Sequence, residues 1–325
     1  MPIRPPKRLH SRRLPLLAAA LLVGASALSA CGGSGADGSK DPLAGVTVTG
    51  GDAKTAPKVA VKTTPLSVKE TATRVIRPGS GAELKGDEIV SLNFVLLNGK
   101  DGSQIESTYG KGSSGGLNLA NQGLLPGLKK GLAKQRIGSQ ILLGIPPKDA
   151  FGTNGNPQLK VGGTDTLLFV MDLVSATKPL ASAQGTPVKP VAGLPTVKMV
   201  EGQPAVITMP KKPAPKKTVA QLLVEGTGPE VKSGSTIRVS YTGALWKNGK
   251  VFDSSAQHPE KYFETVIGQK QVINAWDAKL VGQKVGSRVL LVVPPADGYG
   301  AAGQPSAGIT GSDTLVFVID ILATY

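Results

Sequence analysis

Aromatic and acidic side chains in the second half of the chain form the best candidate for a functional set, because the first half replaces them. The two halves repeat at an offset of roughly 147 positions, so that residues 237–241 align with residues 90–94. Aromatic side chains bury large apolar areas, and tyrosine and tryptophan add a polar group that needs a partner when buried. Such a set can line a binding pocket or fill a core, and the spacing alone leaves both interpretations open. The substituted positions are Tyr241 (Phe94), Phe252 (Ile105), Asp253 (Glu106), Trp276 (Leu128) and Tyr299 (Phe151).

Several kinds of catalytic chemistry find no support in the composition. One cysteine and two histidines are too few for a metal cluster, and no pair of carboxylates has the spacing of a glycosidase. The glycine-rich run at residues 33–38 follows no strand, so it does not predict a phosphate-binding loop. We therefore expect no metal and no cofactor.

The formal net charge of +15 does not predict nucleic-acid binding. Five basic residues lie within the first thirteen positions, and Lys211, Lys212, Lys216 and Lys217 lie in a proline-rich stretch. Nucleic-acid binding needs basic residues grouped on one face together with stacking aromatics. Attraction to anionic lipid or to a cell-wall polymer is the simpler alternative for this charge.

The elements that must position the candidate residues are strands and one short helix. Alternation in residues 237–242, an Asn-Gly turn at 248–249 and apolar runs at 288–293 and 314–322 predict an antiparallel sheet. In the last run, Leu315, Phe317, Ile319 and Ile321 share one face. The i, i+3, i+7 spacing of Ile273, Trp276 and Leu280 predicts a helix that Gly282 ends. These elements predict an α+β domain with the helix on one face of the sheet.

The first copy repeats this plan and sets the domain boundaries. Asn98-Gly99 marks its turn, and Leu125, Leu128 and Leu132 have helical spacing near Pro126. Short strand-like segments precede the copies at residues 45–48 and 195–198. We expect a first domain at 44–177, a semi-stiff Pro/Ala/Gly-rich linker at 178–193 and a second domain at 194–325.

The first thirty residues have the pattern of an export signal. A basic segment precedes the apolar run 14–28. This run is too short to span a bilayer, because a transmembrane helix needs about 20 residues. Cys31 follows Leu-Ser-Ala, which resembles the bacterial lipobox, and residues 31–43 have the composition of a flexible tether. We expect a signal peptide at 1–30 and a lipid on Cys31 that holds the protein at the outer face of the bacterial cytoplasmic membrane. The alternative is a lone thiol in a secreted protein.

Six motifs follow one another along the second copy. They are Val239-Ser240-Tyr241-Thr242-Gly243, Val251-Phe252-Asp253-Ser254-Ser255, Gln271-Val272-Ile273-Asn274-Ala275-Trp276, Gly282-Gln283-Lys284-Val285-Gly286, Pro294-Pro295-Ala296-Asp297-Gly298-Tyr299-Gly300 and Asp313-Thr314-Leu315-Val316-Phe317. Together and in this order, they resemble the motifs of the FKBP-type peptidyl-prolyl cis-trans isomerases. The resemblance implies two FKBP-like domains, each a twisted antiparallel sheet wrapped around one short helix, with an apolar pocket between sheet and helix.

The same resemblance implies the roles of individual residues. Trp276 would form the floor of the pocket, and the Ile273 backbone N–H and the Tyr299 hydroxyl would bind carbonyl oxygens of a peptide. Asp253 would lie beside the rotating amide. Gln304 stands where the family often has histidine, which puts details of that loop in doubt. The implied walls that bind the substrate are Tyr241, Phe252, Phe263, Val272, Ile309 and Phe317.

A dry aromatic pocket suits rotation about an X–Pro bond. Rotation breaks amide resonance and must cross about 18–20 kcal/mol, but it makes and breaks no covalent bond. Hydrogen bonds from water favour the planar, charge-separated amide, so an apolar site should favour the less polar twisted form. No nucleophile or metal is required.

The sequence therefore predicts a membrane-anchored prolyl isomerase that acts on proline-containing peptides and unfolded exported proteins, and we expect a monomer. The first copy lacks the hydroxyl of Tyr299 and the indole of Trp276, so we expect it to be weakly active or inactive. One alternative is a chaperone-like lipoprotein that binds unfolded or proline-containing chains without turnover. A wall-binding scaffold or adhesin would explain the basic linker but not the pocket motifs.

Overall fold

Two antiparallel sheets with the same strand order form the framework of the protein. The computed structural model describes residues 41–110 and 115–325. The predicted signal peptide and Cys31 lie outside the described residues, as do positions 31–40 of the predicted tether. No helix within the described ranges is long and apolar enough to cross a membrane.

The described residues of the first domain form eight strands and one α-helix. They are β1 (Val46–Thr49), β2 (Lys58–Val61), β3 (Ala72–Arg77), β4 (Ile89–Asn98), β5 (Gln104–Ser107), β6 (Gly115–Asn118), α1 (Pro126–Leu132), β7 (Gln140–Ile145) and β8 (Leu167–Thr177). Strands β3-β7-β8-β4-β5 form the sheet, and β6 also pairs with β4.

The second domain repeats this order and adds one edge strand. Its elements are β9 (Gly185–Pro187), β10 (Thr196–Lys198), β11 (Val206–Thr208), β12 (Val219–Gly226), β13 (Thr236–Leu245), β14 (Val251–Ser254), β15 (Phe263–Val266), α2 (Asn274–Leu280), β16 (Arg288–Val293) and β17 (Leu315–Thr324). The sheet order is β9-β12-β16-β17-β13-β14, and β15 also pairs with β13.

Both faces of the second sheet are buried, because the side chains of β17 alternate between two apolar clusters. Leu315, Phe317, Ile319 and Ile321 pack towards α2, as the sequence predicts. Val316 and Val318 pack on the opposite face with residues of the β10–β11 hairpin. The first domain is built in the same way, with α1 on one face and the β1–β2 hairpin on the other. The predicted α+β fold is confirmed. In each domain the hairpin covers the face of the sheet opposite the helix.

The short helix α2 begins and ends where the sequence predicts. Ile273 is its N-cap residue, and Trp276 and Leu280 lie on its buried side. Gly282 follows the helix with φ of +84°, a left-handed conformation that glycine adopts without steric cost. Seven residues give only two turns, so packing on the sheet rather than helix propensity stabilises α2.

Residues 178–193, which the sequence predicts to be a semi-stiff linker, are packed on the second domain. Strand β9 lies within this segment and pairs with β12. Leu180 packs against the second core, and the Ala183 N–H donates to Oδ2 of Asp320 at 2.9 Å. The segment therefore forms an edge of the second sheet, although its sequence lacks the alternation that predicts a strand.

Candidate active site

A cavity of about 570 Å³ lies between α2 and the sheet of the second domain. Strands β13, β14, β15 and β17 and helix α2 each contribute an aromatic side chain to its lining. The remaining side comes from the loop before α2 and from Gly298 and Tyr299, which lie between two short 3-10 helices. The lining consists of Tyr241, Phe252, Asp253, Phe263, Gln271, Val272, Ile273, Asn274, Trp276, Gly298, Tyr299 and Phe317.

The aromatic rings of the cavity meet edge to face around Trp276. Its ring centroid lies 5.5 Å from that of Tyr241 and 5.5 Å from that of Phe317, with interplanar angles of 80° and 84°. Phe252 stands edge-on to Phe317 at 5.6 Å, and Phe263 lies 6.3 Å from Trp276. Edge-to-face pairs place the positive edge of one ring against the negative face of the next, which holds the rings in a fixed arrangement.

The floor of the cavity is dry and its rim is open. Trp276 and Phe317 are each 4% exposed, whereas Phe263 and Tyr299 are 39% and 38% exposed. The indole Nε1 of Trp276 is buried and has no acceptor among the described residues. An apolar group that enters from the rim would therefore lose its contact with water at the floor.

Asp253 is the acidic group of the cavity, and two side chains hold it. The Tyr241 hydroxyl donates to its Oδ2 atom, and Nε2 of His258 lies 3.0 Å from its Oδ1 atom. Burial, followed by the hydrogen bond to Asp253, raises the pKa of Tyr241 above its ordinary value. Tyr241 therefore stays protonated and keeps donating to the carboxylate.

Besides the Trp276 indole, the backbone N–H of Ile273 and the hydroxyl of Tyr299 lack acceptors in the described parts of the chain. Ile273 precedes α2, so the helix has no carbonyl for its N–H. Burial and, to a smaller extent, the Asp253 charge raise the pKa of Tyr299, so its hydroxyl also stays protonated. Both donors can bind carbonyl oxygens of a ligand.

Nine of the ten predicted pocket residues line this cavity, and Ile309 does not. Ile309 is buried in the core cluster that supports the cavity. Three lining residues, Gln271, Asn274 and Gly298, escaped prediction. Gln271 and Asn274 flank the predicted Val272-Ile273 pair, and their position in that motif was the available signal.

In the first domain the equivalent positions carry different groups. Gly115 pairs with Leu92 in the first domain, and Phe263 pairs with Val239 in the second. Because Leu92 and Val239 are equivalent in the repeat, the first domain has glycine where the second has the Phe263 wall. Phe94 and Phe169 form one tilted ring pair at 5.8 Å. Leu128 lies in the core at the position of the indole.

Comparison with known proteins shows the family of the chain. The model of the family described as FKBP-type peptidyl-prolyl cis-trans isomerase matches residues 81–174 and 228–322, which together exceed half of the chain. The chain belongs to that family. One matched segment lies within each of the two sheet domains, so the protein contains two FKBP domains.

Individual relatives match one or both FKBP domains. The 46 kDa FK506-binding nuclear protein of Spodoptera frugiperda is 42% identical over 30% of this chain and 23% of its own length. An FK506-binding protein of Streptomyces anulatus is 36% identical over 30% of this chain and 79% of its own. Peptidyl-prolyl cis-trans isomerase FKBP9 of Rattus norvegicus is 29% identical over 68% of this chain and 32% of its own. The matches span less than a third of the insect and rat proteins.

Proposed function

We propose that the second FKBP domain catalyses cis–trans isomerisation of prolyl peptide bonds in the aromatic cavity. The observation that carries the proposal is the combination of a dry aromatic floor with two hydrogen-bond donors that lack acceptors in the described chain. A proline ring fits an apolar floor, and the carbonyl oxygens beside it need donors. The family supports the same reaction.

The cavity can lower the rotational barrier by changing the surroundings of the amide. Water donates hydrogen bonds to the amide oxygen and stabilises the planar form, which contributes to a barrier of about 18–20 kcal/mol. The twisted amide is less polar, so transfer to walls formed by Trp276, Phe252 and Phe317 favours it relative to the planar form. These residues hold the proline ring while the preceding carbonyl rotates.

The polar groups orient the peptide around that rotation. The N–H of Ile273 and the hydroxyl of Tyr299 each bind a carbonyl oxygen of the peptide and fix its backbone. Asp253, held by Tyr241 and His258, places its negative charge beside the amide. Orientation and electrostatics supply the catalysis, with no covalent step.

The first FKBP domain has at most a minor part in this reaction. Gly115 leaves the outer wall open, and Phe151 cannot donate to a carbonyl as Tyr299 can. We propose that activity belongs mainly to residues 194–325.

The decisive experiment measures cis-to-trans exchange of a proline-containing peptide with the full chain and with Tyr299→Phe plus Asp253→Val. We expect acceleration by the wild-type protein and loss of most of it in the double variant, with an unchanged thermal unfolding midpoint as the folding control. Peptide binding without acceleration by the wild type would contradict the isomerase proposal and support a chaperone-like binding protein instead.

We further propose that the protein assists folding of exported proteins at the outer face of the cytoplasmic membrane. The support is the signal-like sequence 1–30 and the lipobox-like Leu-Ser-Ala before Cys31. Incorporation of radiolabelled fatty acid in a bacterial host, compared between the wild type and Cys31→Ala, tests the anchor. A wild-type protein that takes up no label would contradict it.

A further inference from the structure

The two FKBP domains meet through equivalent strands, β6 of the first and β15 of the second. Gly116 pairs with Ser91 in β4, and Glu264 pairs with Arg238 in β13, at the same position of the repeat. The first domain therefore has glycine where the second has Glu264. Across the contact, the Asn118 side-chain amide donates to Oε1 and Oε2 of Glu264 at 3.2 and 3.3 Å.

Glu264 is the centre of this contact. Nε of Arg238 lies 2.8 Å from its Oε1 atom, and the Arg238 guanidinium lies 4.0 Å above the ring of Tyr262. Burial, followed by the nearby charge of Glu264, raises the pKa of Tyr325, and Asn118 is only 5% exposed. A carboxylate with several charge-assisted or neutral donors is fixed in position.

Gly116 permits the domains to approach closely. A Cβ atom at this position would lie 1.9 Å from Cδ2 and 2.7 Å from Cγ of Tyr325. Those atoms belong to the second domain, so a side chain at 116 would displace Tyr325 without meeting an equally close atom of the first domain. The adjacent Gly115 differs, because its Cβ would meet only Thr108 and Leu92 of its own domain, at 3.5 and 3.7 Å.

Strand β15, which contacts the first domain, carries Phe263, the outer wall of the cavity. Successive residues of a strand point to opposite faces, so Glu264 contacts the first domain while Phe263 lines the cavity. Among the described strands β15 pairs only with β13, and Phe263 is 39% exposed. Its position over Tyr241 and Trp276, at centroid distances of 6.1 and 6.3 Å, therefore depends on how firmly β15 is held.

We propose that the first FKBP domain is a brace for the second: Gly116 and Asn118 of β6 dock on Glu264 and Tyr325, and this contact holds β15 so that Phe263 closes the substrate cavity. Gly116, which stands at the position of Glu264 in the repeat, forms part of this docking surface. The proposal rests on the function proposed for the second domain, and in it Gly116 and Asn118 of the first domain act as positioning residues.

The test compares Gly116→Ala with the matched control Gly115→Ala in the full chain. Gly116→Ala should speed hydrogen exchange of the amides at 262–266 by about tenfold. This is the effect expected from losing one hydrogen bond to a charged group, here the bond from Asn118 to Glu264. Gly115→Ala should leave it unchanged. For a prolyl peptide, KM should rise severalfold in Gly116→Ala while kcat stays within about twofold, because only a binding wall has loosened.

A second variant approaches the contact from the other domain. Tyr325→Ala removes the ring that a Cβ at 116 would meet, so adding Gly116→Ala to it should have little further effect on exchange. Unchanged exchange at 262–266 in both Gly116→Ala and Tyr325→Ala would overturn the brace. Hydrogen exchange is measured without catalysis. An inactive wild-type protein would therefore refute the isomerase function, and the exchange rates of the variants would still decide whether the first domain acts as a brace.

Discussion

The hydroxyl of Tyr241 donates a hydrogen bond to Oδ2 of Asp253, across the antiparallel pair β13 and β14. The same tyrosine ring stands edge-on to Trp276 at 5.5 Å. Tyr241 thus connects the apolar floor of the cavity to its acidic group. His258 contacts the other carboxylate oxygen, so Asp253 keeps a partner when Tyr241 is changed.

Tyr241→Phe should lower kcat/KM about tenfold, because the change removes one hydrogen bond to a charged group and keeps the ring in place. Steady-state isomerisation of a proline peptide measures the effect. The matched control is Tyr109→Phe, which removes a hydroxyl bonded to Asp172 in the first domain, away from the cavity. Equal losses in the two variants would contradict a specific role for the Tyr241–Asp253 pair.

Trp276→Leu, which introduces the residue of the first copy, should raise KM at least tenfold and lower the free energy of unfolding by about 1–3 kcal/mol. The indole supplies the cavity floor and contacts the rings of Tyr241, Phe263 and Phe317. Peptide binding by calorimetry and denaturant unfolding measure the two effects separately.

The second tryptophan provides the control for this change. Trp246 is buried on the opposite face of the same sheet, where its Nε1 donates to the Lys212 carbonyl at 3.1 Å. Trp246→Leu should lower stability by a similar amount and leave KM unchanged. A comparable rise of KM in both variants would mean that general loosening, rather than the floor, controls binding.

The sequence predicted those parts of the fold that depend on side-chain periodicity. The alternation of Leu315, Phe317, Ile319 and Ile321 and the helical spacing of Ile273, Trp276 and Leu280 reflect burial on one face, and the structure has both. Strands β2, β9 and β11 escaped prediction because three or four residues cannot show a period, as in Gly185–Pro187. The partner of β9 is β12, at Val219–Gly226, and no local pattern in residues 185–187 indicates it.

Residues of the cavity were predictable where their chemistry is distinctive. Gln271, Asn274 and Gly298 line it because of the path of the backbone, which their residue types do not reveal. The contact of Gly116 with Tyr325 joins positions more than 200 residues apart, and a glycine in a strand carries no sign of its partner. Tertiary approach, rather than local pattern, decides such positions.

Acid should destabilise the second domain through Asp313. The hydrogen bond from Nζ of Lys247 to Oδ2, at 3.0 Å, and the Thr310 N–H hold the pKa of this buried carboxyl below its ordinary value of 3.8. A lowered pKa in the folded state gives stability that is present above the ordinary value and is lost as pH falls through the folded value. Unfolding free energy should therefore decrease below about pH 4.

Asp313→Asn should make the unfolding free energy of the second domain less dependent on pH in that range, because the amide keeps an acceptor for the Thr310 N–H but does not titrate. Denaturant unfolding between pH 2.5 and 6 measures this dependence. Glu201→Gln changes an exposed carboxylate and serves as the control. An equally steep acid dependence in Asp313→Asn would show that other groups cause the loss.

The number of peptide sites should be one per chain, because only the second domain combines an indole floor with donors at the rim. In the first domain Leu128 and Gly115 replace Trp276 and Phe263, so an entering proline would find neither floor nor outer wall. Calorimetric titration of the full chain with a proline peptide should give a stoichiometry near one, and Trp276→Leu should abolish that binding event. If a site survives in Trp276→Leu with the wild-type affinity, the first domain binds peptide itself, and the divergence of its aromatic positions has not removed its pocket.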